Sequence, residues 1–227
     1  MSDLKTREPQ YQVLLEQHQN EGLEKLGLMS SQVWRDDPRR LVFVLARYKF
    51  VAKMFSGMGH VLEIGCADAF GTRVVAQEVK QVTAIDFDRL FVEQVNQNMS
   101  SRWKIECLVH DMMTQPLARG FDGAYAVDVL EHIPPEQEDQ FVRNICTSLN
   151  SAGACLLGSP SIHSQAYASP QSKAGHVNCK DAPGLKTLMG KYFHNIFIFS
   201  MNDEVVHTGF TPMAHYLWAL CCNKKSA

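Results

Sequence analysis

The residues best placed to do chemistry sit in one short run and in the acids that follow it. Glu63-Ile64-Gly65-Cys66-Ala67-Asp68-Ala69 leads from an apolar stretch into small residues, and Asp86 closes a second apolar stretch, Val82-Thr83-Ala84-Ile85. A strand, a turn of small residues, a helical segment and a strand ending in an acid suit a nucleoside. The small residues let the backbone approach the ligand, and an ionised carboxylate accepts from two adjacent ribose hydroxyls.

The details of the turn narrow the nucleoside. A dinucleotide site would want glycine at positions 65, 67 and 70, but Ala67 and Phe70 stand at the last two, and Phe70 leaves little room for a helix to close on the strand. Asp68 is an anion with no Lys, Arg or Thr beside it before Thr72, which disfavours a pyrophosphate and suits a positively charged sulfonium. Three histidines are candidates for catalysis by proton transfer. His132 follows Glu131 at the expected exit of a strand, while His163 and His176 lie in the stretch Pro160 to Lys180 with Tyr167 between them. Tyr11 and Trp34 read as packing residues, Arg39-Arg40 as a solvated face, and the polar cluster around His207 as a hairpin loop.

These groups need elements to hold them. Residues 10 to 57 read as helices, with Asp37-Pro38 a start signal for the longest, since an aspartate cap before a first-turn proline favours helix entry. From His60 onward apolar runs alternate with helical segments. The expected strands are 60 to 66, 81 to 86, 104 to 109, 122 to 128, 153 to 158, 194 to 201 and 213 to 222; the expected helices are 71 to 78, 89 to 99, 136 to 149 and 181 to 191. The fold class is therefore α/β: a Rossmann-like, seven-stranded, mostly parallel sheet with an antiparallel edge strand, helices on both faces and an N-terminal helical segment. That segment, 1–56, is expected to cap the site, with the main domain at 57–227. The stretch from Pro160 to Lys180 has no clear period and reads as a lid or substrate loop.

Composition sets outer limits. A net charge of -2 gives no basic field, so a nucleic-acid partner is not expected and a small-molecule substrate is. The seven cysteines are an odd number without a C-x-x-C spacing and read as reduced core residues, with no metal site expected. No apolar run approaches the ~20 residues of a membrane span, and the N-terminus lacks a signal-peptide core, so the expectation is a cytoplasmic protein with no membrane partner. A homodimer is compatible with all of this.

Four segments together resemble the motifs of class I S-adenosylmethionine-dependent methyltransferases. Glu63 to Ala69 resembles the first motif, Ala84-Ile85-Asp86-Phe87-Asp88 the acidic second and Val109-His110-Asp111-Met112 the third. Phe121 to Ile133, containing Asp128-Val129-Leu130-Glu131-His132, is similar to the fourth in the small-molecule branch that includes the ubiquinone-biosynthesis methyltransferases. Ala67 and Ala69 replace glycines common in the first motif. The resemblance implies that Glu63, Gly65, Cys66 and Ala67 wrap the methionine part of S-adenosylmethionine. It further implies that Asp86 and Phe87 meet the ribose, Asp111 and Met112 the adenine, and Asp128 the donor's amino group or the substrate. It also implies methyl transfer to a small molecule, with a hydroxyl favoured because potential bases cluster in the loops. The alternatives are a small-amine N-methyltransferase, a nicotinamide-dependent oxidoreductase, which Phe70 argues against, and an inactive cofactor-binding scaffold.

Overall fold

The computed structural model describes residues 5–226, so Met1 to Leu4 of the expected N-terminal segment lie outside the described residues, as does Ala227. Three helices come first: α1 (Gln12–Glu21), α2 (Leu28–Asp36) and α3 (Pro38–Met54). Asp37 starts α3 by accepting the Arg39 N–H, with Pro38 in the first turn. The spacing of Leu41, Tyr48, Val51 and Ala52 then turns one stripe inward. By contrast, α1 buries no residue, and Val13, Leu14 and Leu23 are exposed.

Alternation begins with β1 (His60–Ile64), α4 (Thr72–Ala76), β2 (Gln81–Asp86), α5 (Arg89–Gln97), β3 (Glu106–Val109) and β4 (Phe121–Val127). It continues with α6 (Glu138–Ser148), β5 (Leu149–Pro160), α7 (Pro170–Gly175), α8 (Ala182–Gly190), β6 (Phe193–Asn202), β7 (Val205–His207) and β8 (Tyr216–Lys224). The strands form one sheet in the order β3-β2-β1-β4-β5-β8-β6-β7. β1 pairs in parallel with β2 and β4, β2 with β3, and β4 with β5.

The α/β class is the expected one, with two differences. The sheet has eight strands instead of seven, because Val205–His207 pairs antiparallel with β6 within the hairpin loop expected around His207. Three residues are too few to display a period of two, and the turn through Asp203, at φ 50°, folds them back. The antiparallel strand β8 is also inserted between β5 and β6 rather than lying on the rim.

Burial on both faces explains the continuous apolar strands. In β1, Leu62 and Ile64 pack with Phe141, Ile145, Leu185 and Leu188 on one face, while Val61 packs with Tyr48, Val51 and Phe55 of the α3 region on the other. Each fully buried Leu or Phe contributes about 1.5–3 kcal/mol. Thus α3 is part of the sheet's own core. The stretch expected to be a long loop, Pro160 to Lys180, holds a 3-10 turn at Ile162–Tyr167 and α7, and Ser161 bridges to Lys180. All seven cysteines are free, and none of the described helices is long and apolar enough to cross a membrane.

Candidate functional site

The parallel strands β1, β2 and β4 all end at one edge, and the turns leaving them enclose a cavity of about 580 Å³. Gly65, Ala67, Asp86, Phe87, Asp111, Met112, Asp128 and His132 from the sequence reading line it. They come from four different turns, and sheet pairing brings them together. A cavity outside the carboxyl ends of parallel strands is where such folds bind ligands.

The turn after β1 is shaped by backbone conformation. Gly65, Ala67 and Ala69 all have positive φ, at 73°, 46° and 51°. A Cβ on Gly65 would lie 2.5 Å from Val129, so the strand ends can approach this closely only with glycine there. Ala67 N–H donates to one Asp86 carboxylate oxygen at 2.9 Å, and Asp88 N–H donates to the other at 2.9 Å. The carboxylate is therefore fixed in place with one acceptor site still open on each oxygen. Asp111 is held likewise, accepting Met113 N–H at 2.8 Å.

Three residues of the first motif point elsewhere. Glu63 is fully buried and accepts from Tyr48 and Tyr125 hydroxyls, each at 2.8 Å, and from Thr72 at 2.5 Å. It ties α3, α4 and β4 together beneath the turn, and burial raises its carboxyl to about 7. Cys66 packs 3.9 Å from the Cys107 sulfur in the α5 layer. Asp68, read as an anion beside a sulfonium, instead caps α2: it accepts Ser30 N–H at 2.7 Å and Ser30 Oγ at 3.1 Å. That cap sets the first turn of α2 against the site, where Met29 lines the cavity.

At the other end of the cavity Asp128 stands at φ 58°, an uncommon conformation for a residue with a side chain. Arg47 of α3 forms an ion pair with it and lies 4.1 Å above the Tyr216 ring. Asp128 Oδ1, Arg47 Nε and both Glu131 oxygens are buried without a hydrogen-bond partner among the described residues. Such atoms are normally satisfied, so their concentration at this end of the cavity is unusual. His132 is exposed at this end, with His176 beside it at a ring separation of 5.2 Å. His163 is exposed and does not line the cavity.

The sequence reading missed Arg47, Tyr216 and Met29. Arg47 left a signal: it falls between Val44 and Tyr48 on the inward stripe of a helix, where a cation needs a partner. Tyr216 and Met29 left none, because their position depends on sheet order and on the Asp68 cap.

With this geometry in hand, the class of protein is an α/β domain with a cavity at the carboxyl ends of its parallel strands. Residues 61–153 match the family model described as a methyltransferase domain. No curated protein matches the chain. Among solved structures, it is similar to the N-methyltransferase NodS from Bradyrhizobium japonicum in complex with S-adenosyl-L-homocysteine. That match has 23% identity and a TM-score of 0.61, covering 84% of this chain and 91% of that one. A TehB-like S-adenosylmethionine-dependent methyltransferase from Corynebacterium glutamicum superposes with a TM-score of 0.63 at 14% identity, over 86% and 96% of the two chains. These likenesses show the fold, and the family match over residues 61–153 is to a methyltransferase domain.

Proposed function

We propose that the protein methylates a hydroxyl of a small molecule, with the donor held along the strand ends and the acceptor at Asp128 and His132. The observation that carries this reading is the Asp86 carboxylate, fixed by two backbone N–H groups while keeping an open acceptor site on each oxygen at the cavity wall. That arrangement suits two neighbouring ribose hydroxyls.

In this reading Asp86 and Phe87 hold the ribose, Asp111 and Met112 the adenine, and the Gly65–Ala67 turn the methionine part. Bound there, S-adenosylmethionine would supply an electrophilic methyl group for the acceptor's lone pair, with its sulfur as the leaving group. The protein's part is chiefly alignment in a partly dry pocket. Arg47 and Tyr216 fix Asp128 at that end. His132 donates its Nδ1–H to the Gly175 carbonyl at 2.9 Å, since that oxygen can only accept. Its Nε2 lone pair is then available to take the acceptor's proton.

An amine acceptor is the second reading, favoured by the unpartnered oxygens of Asp128 and Glu131, which would suit a cationic substrate. Calorimetry of S-adenosylmethionine binding to wild type and Asp86→Ala tests the donor half. Transfer of labelled methyl to paired hydroxyl and amine acceptors tests the other half.

A further inference from the structure

Behind His132 lies a group of side chains that the donor site does not use. Glu131 is fully buried, yet neither carboxylate oxygen has a hydrogen-bond partner among the described residues. The fold brings a distant histidine to it: Val177 and Asn178 N–H both donate to the Glu131 carbonyl, at 2.8 and 3.0 Å, which seats His176 alongside. One ligand atom from each of Glu131, His132 and His176 lies within 4.8 Å of the others.

Both imidazoles are already oriented. His132 Nδ1 is 2.9 Å from the Gly175 carbonyl, and His176 Nδ1 is 2.8 Å from Gln165 Oε1. Each of these oxygens accepts, so each Nδ1 carries the proton and each Nε2 keeps its lone pair. Histidines that hold a metal are commonly fixed in this way, by a carbonyl on the other nitrogen.

We propose that Glu131, His132 and His176 bind one first-row divalent metal ion, such as Mn²⁺ or Zn²⁺, through a carboxylate oxygen and two imidazole nitrogens. Two histidines and a carboxylate are a recurrent donor set for such ions and leave coordination positions open. A cation there would give the Glu131 oxygens the partner that they lack among the described residues. His132, exposed and in the cavity wall, gives the ion a way in and sets it beside the acceptor. Metal binding itself does not depend on the proposed activity. Its use rests on that reading: a hydroxyl oxygen taking an open position would lose its proton to solvent water more readily, with the metal in place of His132 as the activating group.

The test uses the full-length chain, freed of metal with a chelator and titrated with Mn²⁺ while free ion is followed by electron paramagnetic resonance. One equivalent should bind saturably, and both His176→Ala and His132→Ala should weaken binding by at least roughly tenfold. His194→Ala, at an exposed position on β6, should bind like wild type. Circular dichroism checks each variant, and His132→Ala at its exposed site stands in if His176→Ala unfolds. No saturable binding up to millimolar Mn²⁺, or wild-type affinity in both variants, overturns the proposal. Calorimetry of S-adenosylmethionine on the metal-free protein separates this from the donor reading: donor binding without metal binding defeats only the metal site.

Discussion

Replacing Asp86 with alanine removes a carboxylate that is 7% exposed and is held by the Ala67 and Asp88 N–H groups. If the same oxygens receive the donor's ribose hydroxyls, the variant loses hydrogen bonds to a charged group, each worth about 1.5–3 kcal/mol. Even one such bond corresponds to roughly tenfold in affinity, at about 1.4 kcal/mol per factor of ten, and two correspond to a hundredfold or more. The substitution also leaves two backbone donors short of a partner, so the melting temperature should fall by a few degrees. Calorimetric titration with S-adenosylmethionine separates the two effects when done well below the transition. Asp86→Asn retains one oxygen acceptor and should lie between the two. Unchanged affinity in a folded Asp86→Ala would refute the ribose assignment and, with it, the orientation of the donor.

Two further outcomes follow from the same geometry. His132→Ala should lower turnover about 100-fold or more while donor affinity stays near that of wild type, because proton transfer contributes about that much and the residue lies at the acceptor end; a wild-type rate would reduce His132 to packing. Glu63 has a folded pKa raised by burial to about 7 against an ordinary 4.5. The folded state therefore holds its proton more tightly, and its contribution to stability is full below about pH 4.5 and lost as pH rises through 7. Melting temperature should fall across that window, and Glu63→Gln should flatten the fall. A wild-type profile that does not fall there would contradict the protonated, buried state.

The strand ends were legible because both sheet faces are buried, so each strand shows as an apolar run that stops at a polar residue. The strand bounds follow from that pattern, whereas the grouping of Asp86, Asp111 and Asp128 at one edge is what the resemblance to the methyltransferase motifs implies. Side-chain direction was less legible. Glu63 alternates with Leu62 and Ile64 and so shares the α3 face with Val61, a consequence of the period of two that the motif reading did not use. Asp68 misled because its partner is Ser30, 38 positions away in a helix whose approach no local pattern records. His176 reaches Glu131 only through backbone hydrogen bonds made by the two residues after it, a contact across 45 positions that no spacing rule for metal ligands would find. The short strand at Val205–His207 is visible only once β6 is there to pair with it.

The central claim is that the cavity at the strand ends binds the methyl donor with its reacting end toward Asp128 and His132. A crystal structure with S-adenosylhomocysteine measures this directly. The account predicts both ribose hydroxyls on Asp86, the adenine amino group at Asp111, and the sulfur facing the Asp128 and His132 end. A ligand bound elsewhere, or one in this cavity with its ribose away from Asp86 and its sulfur away from His132, would contradict it.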